Sequence, residues 1–228
     1  RLIKGLEDCK VGYDTTVRNN KNKIIQFRYG DDSVDTVRVE NQHLPLTEMS
    51  LDEVYAHYHM PSDNLKDKIF TTSYTKPAIR RIKQQKVQLE NKTKEILEFI
   101  LDSRKLIMKN VFNNKSGSKI HIPIAFTHII NNIQNQQNIQ SNSLVDITPF
   151  EAIELIDEKF SDLHKLHYAK PNDLFKTMYY FYLSPKELLM VKRYNRKALI
   201  ILLDQLEYLY KKSLVAPGEM VGMIAAQS

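Results

Sequence analysis

The first candidates for chemistry in this sequence are two neighbouring carboxylates, Asp31 and Asp32. Carboxylate oxygens are ligands that hard divalent cations prefer, so the pair could bind a metal ion. The pair follows Tyr29-Gly30, however, and glycine next to aspartate is typical of a tight turn. A turn is therefore the favoured interpretation. No set of aspartates stands at the spacing of a metal clamp, and we predict no metal ligand in this sequence.

The motifs of common catalytic sites are absent from the sequence. It contains no Gly-x-Ser-x-Gly, no His-Glu-x-x-His and no glycine-rich phosphate loop. His57 and His59 stand two positions apart and cannot share a helical face, so both are predicted to be surface or packing residues. Cys9 is the single cysteine, which excludes an internal disulfide and a multi-cysteine zinc site. We predict no catalytic residue.

Two groups of residues could bind nucleic acid, and each has a structural alternative. A basic run lacks interleaved aromatic residues, so a solvated helix face is favoured over a phosphate-binding patch. Its members are Arg80, Arg81, Lys83 and Lys86. The aromatic cluster at 179–182 could stack bases, but apolar neighbours such as Phe175 and Leu183 favour core packing. The net charge of +6 permits an acidic partner without requiring one.

The composition is that of an ordinary globular protein. A chain of 228 residues with 42% hydrophobic and 26% charged residues can bury one large core or two modest ones. Six glycines and eight prolines are few, which favours long regular elements over a turn-rich fold. No run of about eighteen apolar residues is present, so no membrane span is predicted. The single cysteine fits an intracellular, reducing compartment.

Helix signals are strongest in the middle and towards the end of the chain. Apolar residues recur every three or four positions from Pro77 to about Leu101. Thr148, Pro149 and Glu151 form the clearest helix start, and the sequence 184–187 repeats the same device. Ser50 with Glu53 starts a further short helix, another lies between residues 171 and 183, and a long one covers about 198–212. Residues 134–143 are predicted to be an exposed loop.

Short strands are predicted nearer the start. Residues 15–18 and 23–29 flank an Asn-rich turn at 19–22, which favours a hairpin. Ile25, Phe27 and Tyr29 alternate with polar residues, as in a half-buried strand. A further strand at 120–126 contains Pro123, which is typical of an edge. The predicted fold class is mainly α with small β elements (α+β).

Both ends of the chain carry patterns that suggest packing. Residues 1–12 are predicted to be the end of a helix, with an apolar stripe formed by Leu2, Ile3, Leu6 and Cys9 and a polar face formed by Arg1, Lys4 and Asp8. Near the other end, Pro217-Gly218 breaks the preceding helix. Small residues then recur at helical spacing, so that another backbone could approach closely. These residues are Gly222, Ala225 and Ala226.

These end segments resemble a known family. The string 215–228, Val-Ala-Pro-Gly-Glu-Met-Val-Gly-Met-Ile-Ala-Ala-Gln-Ser, is similar to the segment that leads into the trigger loop of the largest subunit of multisubunit DNA-dependent RNA polymerases. Residues 1–8, Tyr13-Asp14-x-Thr16-Val17-Arg18-Asn19 and Ile25-Gln26-Phe27-x-Tyr29-Gly30-Asp31-Asp32 resemble the end of the bridge helix and the segment after it. The stretches occur in family order, and the RNA polymerase II type is the most similar.

The resemblance implies roles for residues at both ends. Arg1 and Lys4 would contact phosphates of the template near the active site. Gly218, Gly222, Ala225 and Ala226 would let the root of the trigger loop pack closely, and Gln227 and Ser228 would lie at its hinge. Catalytic magnesium would be bound by an aspartate string that this sequence does not contain, so no cofactor is expected within the segment. Two departures stand out: Ser33 replaces a usual glycine, and Thr127-His128 replace frequent arginine or asparagine.

The resemblance also implies a division of the chain and a set of partners. Residues 1–45 would be the end of the bridge helix with a hairpin-like segment, residues 46–212 a helical foot domain, and residues 213–228 the approach to the trigger loop. The expected partners are the second-largest and small common polymerase subunits, template DNA and RNA, and transcription factors on the foot surface. The nucleus is the expected location, with a virion or cytoplasmic viral factory as the alternative. A stand-alone basic helical module that binds nucleic acid or protein is the alternative function.

Overall fold

The computed structural model describes residues 2–60, 72–113, 115, 117, 119–166 and 168–227. Helices dominate these residues and two small antiparallel sheets accompany them, so the predicted fold class is confirmed. The helices are α1 (Leu2–Leu6), α2 (Leu51–Tyr58), α3 (Lys76–Gln84), α4 (Lys86–Asn110), α5 (Phe126–Gln136), α6 (Pro149–His164), α7 (Asp173–Tyr182), α8 (Arg196–Ser213) and α9 (Val221–Gln227).

The strands are short and belong to two sheets. In the first sheet, β1 (Lys10–Val11), β2 (Val17–Arg18) and β3 (Ile24–Gln26) pair antiparallel in chain order. In the second, β4 (Glu40–His43) pairs with β5 (Lys119–Ile122), so that Glu40 lies opposite Ile122. The predicted hairpin is therefore present as β2–β3, and Asn22 turns it with a φ of 60°.

The chain forms two parts. The terminal layer comprises residues 2–32 and 216–227, and the helical body comprises the described residues from 36 to 212. The link between them consists of residues 33–35 and 213–215, which run antiparallel with Val34 paired to Leu214. Most buried apolar residues of the helical body form one large core, and a small cluster of Met60, Leu89 and Ile153 lies beside it. A separate small core lies in the terminal layer.

Side-chain caps fix where several helices of the body begin. Ser50 with Glu53 and Thr148 with Glu151 form complete capping boxes at α2 and α6, as predicted. The prediction of the same device at 184–187 is wrong. Ser184 donates its hydroxyl to the His57 carbonyl oxygen, and a π-helical segment, Lys186–Val191, follows without a side-chain cap.

The aromatic cluster of α7 is part of the core, as predicted. Tyr179 and Phe181 are buried, and the Tyr179 hydroxyl donates to the Ile156 carbonyl oxygen at 3.0 Å. Burial raises the pKa of Tyr179 well above its ordinary value, because the phenolate would lose its hydration. Tyr194 and Tyr210 are buried in the same way, and each donates its hydroxyl to a backbone carbonyl. Paired hydroxyls let these large side chains occupy an apolar core without a polar penalty.

The predicted basic face and histidines have structural roles. Arg81 forms an ion pair with Glu151, while Arg80 and Lys83 are exposed on α3, as a solvated face requires. The long periodic stretch is divided at Gln85 into α3 and α4. His57 is half-buried and stacks on Phe181 with ring centroids 4.7 Å apart, and His59 is exposed.

Three predictions for the first thirty residues are wrong. The first helix ends at Leu6, not near residue 12, because the chain turns there and enters β1. In the predicted apolar stripe, Cys9 is buried but Ile3 and Leu6 are exposed. The strand β3 has no buried face, and Phe27 beyond it is 77% exposed. The last two predictions fail because the described chain leaves Ile3, Leu6 and Phe27 uncovered.

Candidate functional site: the packed chain ends

The two ends of the chain are joined by backbone hydrogen bonds in the terminal layer. Val11 N–H donates to the Glu219 carbonyl oxygen at 3.0 Å, and Gly218 N–H donates to the Val11 carbonyl oxygen at 2.7 Å. Gly218 adopts a φ of 90°, a conformation that favours glycine. The turn at Pro217-Gly218 therefore ends the preceding extended segment and lays the chain against β1.

Gly222 makes the closest approach between the two ends. Its N–H donates to the Cys9 carbonyl oxygen at 3.0 Å. A Cβ atom at this position would lie 1.7 Å from the Leu6 carbonyl oxygen and 2.9 Å from the Cys9 Cβ atom. No side chain fits at those distances, so only glycine allows α9 to pack on the end of α1. The predicted close approach of another backbone therefore occurs at Gly222.

A small apolar core seals this contact. Cys9, Val11, Val17 and Val221 are buried together, and Tyr29 and Val215 pack against them from its edge. Cys9 thus serves as a small apolar side chain in the layer, as predicted. Because Val221 comes from α9 and the other three come from the N-terminal segment, the core itself joins the chain ends.

A polar network stiffens the hairpin beside this core. Asp14 accepts a hydrogen bond from the Thr16 hydroxyl at 2.7 Å and forms an ion pair with Arg18. The Thr16 hydrogen bond, followed by that of Arg18, lowers the pKa of Asp14 to about 2. Arg18 also donates from Nε to the Thr16 hydroxyl at 2.9 Å, so the three side chains hold the turn before β2.

The adjacent aspartates form a turn, as predicted. Gly30, Asp31 and Ser33 all have left-handed φ values near 60°, and the Asp32 carboxylate accepts from Val34 N–H at 3.0 Å. Within the described residues, no three side chains of His, Cys, Asp or Glu are placed to hold a metal ion.

The residues predicted for function have different positions in this site. Lys4 is exposed on α1, while Arg1 and Ser228 lie outside the described residues. Gly218 and Gly222 contact the N-terminal segment. Further along α9, Ala226 is half-buried, and Ala225 and Gln227 are exposed. The close approach seen in the described chain is at Gly222, and the expectation that Ala225 also lies on the close-packed face stays a prediction.

Two contributors to the contact were missed from the sequence. Val11 and Ser33 supply backbone partners to the C-terminal segment, at Gly218 and Val215 respectively. Backbone groups leave no residue-type signal, and residues 1–12 were predicted to be helical, so nothing in the sequence indicated these partners. Among the described residues, no helix is both long and apolar enough to cross a bilayer.

Comparison with known proteins identifies the family. Residues 1–228 match the family model described as RNA polymerase Rpb1, domain 5. The chain belongs to this family. Two relatives from Trypanosoma brucei brucei, the DNA-directed RNA polymerase II subunits RPB1-A and RPB1-B, are each 27% identical to it over 252 residues. The alignments cover 100% of this chain and 14% of each relative, so the chain corresponds to a small part of those proteins.

The family membership decides between the two functions that the sequence left open. A domain of the Rpb1 family is a section of an RNA polymerase largest subunit, and the stand-alone basic module is not supported. The match spans the terminal layer, the link and the helical body alike. The packed ends are therefore part of the Rpb1 domain itself.

Proposed function

We propose that this chain is a non-catalytic section of the largest subunit of a DNA-directed RNA polymerase, and that it holds the ends of two moving parts. In this proposal, α1 is the end of the bridge helix and α9 leads into the trigger loop. Both parts change shape during each nucleotide addition, so their roots must stay fixed while their tips move. The helical body anchors those roots and offers a surface to other subunits and factors.

The contact at Gly222 is the observation that carries this proposal. It fixes the two ends backbone to backbone, through the hydrogen bond to Cys9 and the close approach to Leu6. No flexible side chain lies between the two backbones at this contact. A displacement of one chain end therefore moves the other. Such a joint suits a pair of roots that must keep a constant spacing.

Exposed apolar side chains in the terminal layer support the proposal that this chain is part of a larger assembly. Monomeric proteins rarely expose many large apolar groups in one region, and such regions usually mark contacts. Tyr13 is 96% exposed and Phe27 is 77% exposed. The other members are Ile3, Leu6, Ile24, Ile25, Met220, Met223 and Ile224. We infer that other parts of the polymerase cover these exposed side chains.

The remaining roles follow from the same proposal. Arg1 and Lys4 contact template phosphates, which positions the nucleic acid without selecting a sequence. The catalytic magnesium is bound by a different section of the subunit, so this chain alone is inactive. Its partners are the second-largest and small common subunits, and factors dock on the helical body. The nucleus is the proposed location, with a virion or cytoplasmic viral factory as the alternative.

Replacing Gly222 in the intact polymerase tests the proposal. Gly222→Val adds a branched side chain where even a Cβ atom would meet the Leu6 carbonyl oxygen, so it must separate the chain ends. We expect slower elongation, by about tenfold or more if the roots shift by an ångström, with template binding retained. Gly5→Ala in α1 is the matched control, because no atom lies within 4 Å of the added Cβ in the described chain.

The proposal fails if the Gly222→Val enzyme elongates at the unmodified rate. It also fails if the variant loses template binding and elongation together, because the contact would then support assembly alone. Ala225→Leu should slow elongation less than Gly222→Val, since Ala225 is exposed in α9. Equal effects of the two variants would show that the Gly222 contact has no special part in elongation.

A further inference from the structure

Ser33 lies where three parts of the molecule meet. Its N–H donates to the Tyr29 carbonyl oxygen at 2.8 Å in the terminal layer. Its carbonyl oxygen accepts from Val215 N–H at 2.9 Å, at the start of the C-terminal segment. Its hydroxyl donates to the Tyr168 carbonyl oxygen at 3.1 Å, in the connection between α6 and α7 of the helical body. One residue therefore contacts the N-terminal segment, the C-terminal segment and the body.

The backbone of Ser33 is held in an unfavourable conformation. Its φ is 62°, in the left-handed region where a residue with a Cβ atom is disfavoured. Such a conformation persists where the surroundings impose it, and it is found preferentially at functional positions. Ser33 is also only 3% exposed, so water does not compete for its hydroxyl. The three hydrogen bonds account for the position of this residue.

Backbone hydrogen bonds beside Ser33 join the two segments of the link. Asp35 N–H donates to the Ser213 carbonyl oxygen at 2.9 Å, and the buried pair Val34 and Leu214 lies between the two hydrogen bonds of the link. The link continues directly from the end of α8. A tilt of the link relative to the body would therefore tilt both chain ends together. The Ser33 hydroxyl connects residues 33–35 of the link to the helical body through its hydrogen bond to the Tyr168 carbonyl oxygen.

We propose that Ser33 is a positioning residue for nucleotide addition, and that its hydroxyl sets the angle between the packed chain ends and the helical body. The inference rests on the proposed function, in which those ends are the roots of the bridge helix and trigger loop. Ser33 acts through these elements and does not touch substrate. Loss of the hydroxyl leaves the two ends packed on each other but loosens their attachment to the body.

Two substitutions in the intact polymerase separate the hydroxyl from the backbone conformation. Ser33→Ala removes the side-chain hydrogen bond and keeps the strain of a positive φ. Ser33→Gly removes the same hydrogen bond and also the strain, because glycine adopts a positive φ readily. Both should lower the maximal rate of nucleotide addition by about two- to fivefold at saturating nucleotide, the effect of one lost hydrogen bond. The apparent KM for nucleotide should stay unchanged. The Ser33→Gly enzyme should melt at or above the temperature of Ser33→Ala.

Ser184→Ala is the matched control in the helical body. Its hydroxyl is also buried and also donates to a backbone carbonyl oxygen at 3.1 Å, that of His57. This variant should melt at a lower temperature and keep the unmodified rate. A purely structural role for Ser33 predicts instead that the rate follows the melting temperature across all three variants. That result, or unmodified rates in both Ser33 variants, overturns the proposal.

The Gly222→Val enzyme, measured beside these variants, separates the two proposals. A slow Gly222→Val enzyme with normal Ser33 variants rejects the positioning role and leaves the proposed function intact. A normal Gly222→Val enzyme rejects the proposed function, and the positioning role of Ser33 with it. Exchange of the Val215 amide gives a readout independent of elongation: we expect it to be about fivefold faster in Ser33→Ala. Unchanged exchange would also reject the role of the hydroxyl.

Discussion

The helical body and the terminal layer are held together in different ways. The body buries a continuous core whose largest members are Tyr74, Tyr179, Tyr194, Tyr210, Phe126 and Phe175. The terminal layer buries four small or medium side chains and relies on backbone hydrogen bonds between the chain ends. Its large apolar residues, such as Phe27, point outward instead. We therefore expect the body to be stabilised by its own core and the layer to depend on further contacts.

The largest difference between the body and the layer should appear when one phenylalanine in each is replaced by alanine. Phe126 is fully buried and stacks on Tyr182 with ring centroids 5.5 Å apart, so Phe126→Ala should lower the free energy of unfolding by about 3–5 kcal/mol. Phe27→Ala should change it by less than about 0.5 kcal/mol, because the side chain is exposed. Denaturant unfolding of the 228-residue chain measures both. Similar losses for the two variants would show that the layer and the body share one core.

Insertion of a methyl group at the joint should have the next largest effect. Gly222→Ala forces α9 away from Leu6, at a cost of about 1–3 kcal/mol for overpacking. The effect should be confined to the terminal layer, so amide exchange should accelerate at Val11 and remain slow in α7. Gly5→Ala should leave exchange unchanged or slower, since alanine favours the helix and has room there. Faster exchange throughout the body after Gly222→Ala would contradict the separation of the two parts.

The sequence predicted the body better than the layer, for a physical reason. Local signals fix helices: Ser50 and Thr148 cap them, and apolar residues repeat along them. Burial of the α7 aromatic residues also followed, because the body contains the partners of its own apolar faces. In the terminal layer, Ile25 and Phe27 alternate with polar residues in the sequence, but the described part of the chain covers neither of them.

The joint itself could be predicted only in part. A glycine at position 222, at helical spacing from two alanines, indicated a close approach and the structure has one. The partners are carbonyl oxygens of Leu6 and Cys9, which any residue type could supply. Serine at position 33 did not itself indicate the strained backbone, since serine does not demand a positive φ, but the glycine that is usual there in the resembling family is typical of one. Contacts between backbone groups that are distant in sequence can therefore be found only in the structure.

Loss of a helix cap in the body should lower the stability moderately, and the effect should extend beyond the capped helix. Thr148 caps α6 through Glu151 N–H and also donates its hydroxyl to the Gln85 side chain at 2.7 Å. Thr148→Ala should cost about 1–2 kcal/mol. Because the body shares one core, thermal unfolding of α6 and α8 should shift together. A shift confined to the first turn of α6 would show that the body is less cooperative than its core implies.

The smallest effect should come from an ion network between two body helices. Lys159 on α6 donates to Asp204 at 2.7 Å and to Glu207 at 2.8 Å on α8. The hydrogen bonds to Asp204 and then Glu207 raise the pKa of Lys159 above its ordinary 10.5. Lys159→Met should cost up to about 1 kcal/mol at pH 7.

The stability difference between the unmodified chain and Lys159→Met should depend on pH. A raised lysine pKa means that the stabilisation is fully present below pH 10.5 and is lost as the pH rises through the folded-state value. The gap in unfolding free energy between the unmodified chain and Lys159→Met should therefore shrink above pH 10.5. A gap that stays constant as the pH rises would show that Lys159 contributes through its apolar stem and not through its charge.

Hydrogen exchange of the intact polymerase tests the central claim, that the two chain ends form one packed unit, most directly. The amides of Val11, Gly218 and Gly222 are donors in the bonds that join the ends. We predict that peptides covering residues 9–12 and 218–222 exchange slowly, and that Gly222→Val accelerates both together while the helical body remains protected. Rapid exchange of either peptide in the unmodified enzyme, or acceleration of one peptide without the other, would contradict the account.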